Sequence, residues 1–210
     1  DYKLVNGSVV VLNQVLFDNR PYTSIWGTGS DNLYFTSDKR KIIHWDGIKA
    51  SVAFNTSGNH VGEIHGSSED NIWASGNTEV QFSYVVHFNG EEWNTVEMPY
   101  DRLNAAAVYT LNARETFLAG NGMYFGYPGN FTEIEYPANI YIDEIDGPSS
   151  NDLFACGSFS LVMHYNGIEW KRLDPFPTEF GRLRGIYYSN NTVFIVGRGD
   201  NAAQIIIGKK

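Results

Sequence analysis

The sequence has one cysteine, Cys156, so no disulfide can form within the chain and its fold rests on packing and hydrogen bonding. No uninterrupted apolar stretch approaches the roughly 18 residues that a membrane-crossing helix needs. Cationic charge is scarce: 15 Lys and Arg stand against 24 Asp and Glu, for a formal charge of −9. A polyanion requires a basic footprint, so nucleic acid is excluded as a general partner. An apolar period of three to four residues is nowhere sustained, which excludes a helical fold. Chemical signatures are missing too: no glycine-rich phosphate loop, no Ser-His-Asp set on a nucleophile elbow, no calcium-loop spacing. No cofactor and no metal are expected. No signal-peptide pattern opens the chain at Asp1, which suits a trimmed secreted protein as well as a cytosolic one.

What is abundant is repetition. The stretch EDNIWASG (69–76) recurs as SDNLYFTS (30–37), ARETFLAG (113–120), SNDLFACG (150–157) and NNTVFIVG (190–197). In each copy an aromatic residue (Tyr34, Trp73, Phe117, Phe154, Phe194) stands three places before a small one. The aromatics are 39, 44, 37 and 40 residues apart. A period of that length, made of short strands and turn signals, is the mark of a propeller or solenoid. Each unit has four pieces: a strand with an apolar anchor, the aromatic–small strand, a strand ending at a glycine turn, and a strand leaving it. The turn dipeptides Asp46-Gly47, Asn89-Gly90 and Asn166-Gly167 lie between apolar runs, a strong hairpin signal. Cys156 occupies the small slot and reads as a packing residue.

Four antiparallel strands per unit make one propeller blade. The fold expected is all-β: a single domain over 1–210, a five-bladed β-propeller with blades at about 22–54, 61–98, 105–136, 140–174 and 183–208. The last copy has three strands, and 8–17 is expected to supply its fourth, closing the ring and removing exposed sheet edges. LVNGSVV (4–10) also reads as a glycine-turn hairpin, which would set Tyr2–Val5 in competition with 204–208.

The unit “Ile-x-Gly-Ser-Ser-x-Asp-Asn-aromatic-Ala-x-Gly … His-aromatic-Asn-Gly-x-x-Trp” resembles the repeat of secreted or surface-attached bacterial propellers, a group often labelled glucosyltransferase-like. Copies two and four match best, and copy three, with Gly126 and Pro128, departs most. The resemblance implies the fold and an extracytoplasmic setting, with no catalytic residues to carry over.

His44, His87 and His164 hold one slot in three units, so each is expected to bond within its own blade instead of sharing a metal. Trp93 and Trp170 read as packing between blades. Glu63 and Glu144 sit just before the anchor residue, with Asp143 and Asp146 flanking the second. Paired axial carboxylates are the equipment of a glycosidase, but the same slot holds Ser24, Ala107 and Gly185, so channel hydrogen bonding is the reading favoured. GRGD (197–200) reads as a turn.

Turns one-to-two and three-to-four are nearly uniform among copies, whereas loops two-to-three and four-to-one diverge in length and content. Diverging loops on a rigid scaffold are where binding is placed. That face collects eight of the fifteen basic residues. The residues expected to bind are Arg20, Tyr22, Arg40, Tyr100, Arg102, Tyr141, Phe180, Arg182, Arg184 and Arg198. Arg with Tyr is the composition of interface hot spots. The expected function is a non-catalytic binding module, a monomeric propeller engaging a protein partner or surface assembly. A lectin-like carbohydrate binder is the alternative, then a glycosidase-like enzyme.

Overall fold

The computed structural model describes residues 2–5, 8–11, 21–37, 40–99, 103–173, 181–199 and 202–209. Among them there is no helix, and the strands form antiparallel sheets. The first full sheet is Tyr22–Gly29 (β3), Asn32–Ser37 (β4), Lys41–Trp45 (β5) and Ala50–Asn55 (β6), in that order. The second is His60–Ser68 (β7), Asn71–Asn77 (β8), Ser83–Phe88 (β9) and Trp93–Val96 (β10). The third comprises Ala107–Asn112 (β11), Glu115–Ala119 (β12), Met123–Gly126 (β13) and Thr132–Glu133 (β14). Ile142–Ser149 (β15), Asp152–Gly157 (β16), Val162–Tyr165 (β17) and Trp170–Arg172 (β18) make the fourth. The fifth has three strands: Arg182–Ser189 (β19), Thr192–Arg198 (β20) and Ala203–Lys209 (β21).

The repeat motif has a direct physical cause. At Gly76 an added Cβ would lie 2.1 Å from the His60 carbonyl oxygen, because the end of β8 presses against the start of β7. The small slot permits that approach. Trp73, three residues earlier, is fully buried and fills the space towards the next sheet. The hairpin turns are equally determined. The Asn89 side chain accepts from the backbone N–H of Glu91 and Glu92, and Gly90 takes φ +94°, which L-residues adopt only with strain. Asp46 and Asn166 repeat the arrangement.

The sheets stack face to face in chain order, the first strands β3, β7, β11, β15 and β19 each touching the next. Each sheet thus has a leading face towards its predecessor and a trailing face towards its successor. Four apolar clusters fill the four junctions. Tyr34 and Ile42 meet Ile64 and Ile72, and Trp73 and Val85 meet Val108 and Leu118. Tyr109 and Met123 meet Ile145 and Met163, and Phe154 and Val162 meet Ile186 and Ile195. Trp93 packs against Tyr34 and Phe54 of the preceding sheet, and Trp170 is buried in the third junction, so both tryptophans serve between sheets.

At the N-terminus the strand pairing differs from the one expected. Ser8–Val11 (β2) pairs with Tyr2–Val5 (β1) in a sheet of its own, and β21 has no fourth strand among the described residues. The remainder of the expected closing segment, 12–17, lies outside them. Among the described residues no junction like the other four joins the fifth sheet to the first. The strands β1 and β2 are separated by two residues only, so the pairing is local. Its loop is also far shorter than one spanning the chain, and each doubling of loop length costs about 0.6 kcal/mol.

Candidate binding face

Equivalent slots along the first strands stitch each sheet to the next. Ile64 donates its backbone N–H to Ser24 Oγ at 3.3 Å, and Ser24 Oγ donates to Glu63 Oε1 at 2.5 Å. Ile186 N–H donates to Glu144 Oε2 and Tyr188 N–H to Asp146 Oδ2, both at 2.7 Å. Thr110 N–H donates to His65 Nδ1 at 3.2 Å, and the Tyr109 hydroxyl donates to the Gly147 carbonyl. Burial raises Glu63 to about 7. Glu144 rises to about 8, by burial first and then by the charge of Glu63. His65, an acceptor in a buried place, falls to about 4. The axial carboxyls therefore have structural partners, and neither lines the surface grooves described next.

The histidine slot behaves as the repeat implies. His44 bonds Asn32 and His87 bonds Asn71, each at 2.8 Å, and His164 bonds Asp152 at 2.7 Å. Each ring stacks on the aromatic of its own sheet: Tyr34, Trp73 or Phe154. Cys156 is buried and its thiol is pushed up by burial, which makes it a poor nucleophile.

On the face with divergent loops the predicted residues fall into two groups. Tyr141, Arg182, Arg184 and Arg198 lie at the fourth and fifth sheets. Arg182 grips Asp143 with a two-nitrogen fork, at 2.6–3.0 Å, and its guanidinium lies 5.3 Å from the Tyr141 ring centre. The Tyr141 hydroxyl donates to the Asn104 carbonyl at 3.0 Å, so this cluster clasps loops of three sheets. Arg184 and Arg198 are exposed beside it. Tyr22 and Arg40 belong to the first sheet, where Tyr22 packs on Phe35. Arg20, Tyr100, Arg102 and Phe180 lie outside the described residues.

Arg40 marks the better-formed site. Its Nη1 bonds Glu79 Oε1 at 2.6 Å, bridging the second-to-third loops of sheets one and two. Its backbone is held at φ 62°, with N–H on Ser37 and the carbonyl accepting from Thr56. A cavity of about 440 Å³ opens there, lined by Arg40, His60, Asn77, Thr78, Glu79 and Gln81. The Asn77 side-chain oxygen is buried without a protein partner. Val80, 68% exposed, and Phe82 stand in the same loop. Phe159 is likewise exposed, at the corresponding loop of the fourth sheet. Sequence reasoning missed these apolar residues and His60, Asn77 and Glu79. The available signal was loop length, since SGNTEVQFSY is the longest second-to-third loop.

These loops are rigidly shaped. Arg40, Ser57, Gln81, Asn104, Asn139, Phe159 and Ser160 all take positive φ on this face, a conformation that persists only when surroundings enforce it. Elsewhere, a groove of about 840 Å³ runs beside β10, lined by Asn94, Glu97, Met98, Pro128 and Phe131 among others. A smaller one, about 190 Å³, lies between the fourth and fifth sheets. No helix among the described residues is long and apolar enough to cross a membrane.

No protein-family model matches the sequence, and no curated protein matches it. Solved structures match in fold. A streptogramin B lyase aligns at 15% identity with TM-score 0.72, over 92% of this chain and 70% of the lyase. YCF48 bound to D1 peptide aligns at 12% and 0.60, over 91% of this chain and 66% of the other. A chain of a nidogen–laminin complex aligns at 8% and 0.63, over 94% and 84%. These neighbours are β-propellers, and the chain spans about two thirds of the first two. The likeness is one of fold.

Proposed function

We propose that the chain is a non-catalytic binding module that engages a protein partner through its divergent-loop face. The observation that carries this is the Arg40–Glu79 cavity, lined by polar side chains, with exposed Val80 and Phe82 on the loop that supplies Glu79. Exposed apolar residues on the loop that also forms a charged pocket suit an extended peptide or loop of a partner. The axial carboxyls, bonded from sheet to sheet, favour this reading over a glycosidase. A lectin built on repeats would present equivalent pockets on successive sheets, whereas the three grooves have different linings. YCF48 bound to a peptide and nidogen in complex with laminin are propellers that take protein partners, which supports the reading by analogy of fold. The extracytoplasmic setting remains part of the proposal and rests on the repeat's resemblance to secreted propellers.

Panning a random peptide display library against the chain tests this, with a glycan array beside it. The expected result is an enriched peptide class whose binding falls at least tenfold in Arg40→Ala with Val80→Asp, at unchanged melting temperature. Glycan binding with no peptide enrichment would overturn it, as would peptide binding insensitive to both substitutions.

A further inference from the structure

The junction between the second and third sheets is packed with smaller side chains than the one before it. In the first junction Trp93 of β10 lies 5.9 Å from the Phe54 ring and 6.3 Å from the Tyr34 ring, centre to centre. By the pairing registers, Phe131 takes the Trp93 slot in the third sheet and Trp170 takes it in the fourth. The Phe54 slot is held by Val96 in the second sheet. Phenylalanine thus meets valine where the first junction has tryptophan and phenylalanine. The outer strand β14 has only two residues. This is also where copy three departs most from the repeat, at Gly126 and Pro128. The groove of about 840 Å³ beside β10 lies there.

One part of its lining is apolar: Val96, Met98 and Phe131, the last set edge-on against Trp73. The rest is polar and neutral apart from one carboxylate. Asn94, Thr95, Glu97 and Asn130 are exposed, and their side chains have no hydrogen-bond partner among the described residues. His87 adds an acceptor. Its Nε2 meets the Asn71 side-chain oxygen, fixed as an acceptor by the Trp73 ring N–H that it also receives. Nε2 therefore carries the proton and Nδ1 keeps its lone pair. Burial holds the ring neutral by lowering it to about 4. No lysine or arginine lines the groove among the described residues.

We propose that this groove binds a neutral saccharide, a short chain of pyranose units, at a site separate from the Arg40–Glu79 cavity. A pyranose offers a flat C–H face for Phe131 and Met98, and hydroxyls at its edges that both donate and accept. The carboxamides of Asn94 and Asn130 match that two-way pattern, while Glu97 and His87 Nδ1 accept from further hydroxyls. Anionic ligands are held by charge-assisted bonds from cations, and the lining supplies none. The volume falls within the range of small-molecule pockets, roughly 300–1,000 Å³. The site is a single one, since the third junction again fills the slot with tryptophan, the buried Trp170.

Isothermal titration of the whole chain with trisaccharides of glucose, galactose, mannose and N-acetylglucosamine tests the site. At least one is expected to bind with a Kd of about 1 mM or tighter. Asn94→Ala with Glu97→Ala, both at exposed positions, should weaken that binding about tenfold or more at unchanged melting temperature. Phe131→Trp, which restores the ring found in this slot in the second and fourth sheets, should abolish it in a chain that still melts cooperatively. Arg40→Ala should leave it unchanged, so this site and the protein-binding reading are judged separately. No trisaccharide bound at about 1 mM, or binding indifferent to the double substitution or to Phe131→Trp, would overturn the proposal. So would a display-selected peptide lost in Phe131→Trp when no saccharide binds, which would make the occupant an extended partner segment lying along β10.

Discussion

At the scale of single residues, Trp73 and the axial carboxyls make opposite demands on stability. Trp73 is fully buried, stacks on His87 and donates its ring N–H to Asn71 at 3.0 Å. Replacing it by alanine leaves a large cavity and removes one of the two hydrogen bonds on the Asn71 side-chain oxygen, so chemical denaturation of Trp73→Ala should show a loss of about 3–5 kcal/mol. A loss below about 1 kcal/mol would mean that the ring is not at the junction. Glu63 and Glu144 act through protonation. Their folded values, about 7 and about 8, lie above the ordinary carboxylate range, so between about pH 4.5 and 8 the folded chain holds protons that the unfolded chain has released. Stability from these groups falls as pH rises. His65 and His87, lowered to about 4 by burial, work the other way, and stability from them rises between about pH 4 and 6.5. Below pH 6.5 the two effects offset. Above it only the carboxyls act, so the chain should lose about 1–3 kcal/mol between pH 6.5 and 8.5. Glu63→Gln with Glu144→Gln, which keeps an acceptor for the Ile186 N–H, should flatten that decline in a melting series. A decline of unchanged size would show that these carboxyls are ordinary.

At the scale of elements, most of the architecture was written in the chain because each signal is local. The aromatic and small positions are neighbours on one strand, and the Asn-Gly and Asp-Gly turns bind their own backbone. Gly90→Ala tests that logic. Its φ of +94° and a Cβ only 3.1 Å from the Asp70 side chain predict a loss of about 1 kcal/mol or more by urea denaturation, and no loss would mean the turn relaxes freely. Pairing of the termini was not legible. SVVVLNQVLF satisfies the apolar pattern of a closing strand, yet Ser8–Val11 pairs with Tyr2–Val5, and pattern alone does not rank a local partner against a distant one. The binding face was legible as a class of loops but not as residues. Arg182 was expected to bind a partner, and its engagement with Asp143 depends on two sheets being stacked. Glu79 and His60 join Arg40 for the same reason.

At the scale of the whole molecule, the account rests on five sheets stacked in chain order through four like junctions. The binding face follows from the same stacking, because loops of neighbouring sheets meet only at the junctions. A ring closed within one chain would place Ile25 and Ile205 about one sheet spacing apart, some 10 Å. A series in which the fifth sheet does not pack on the first places them at about two sheet spacings, some 20 Å, or more. Dipolar spectroscopy on the chain spin-labelled at Ile25→Cys and Ile205→Cys, diluted into excess unlabelled protein, reads that distance within single chains. The account predicts a distribution centred at or beyond about 20 Å, and one narrow peak at about 10 Å would contradict it.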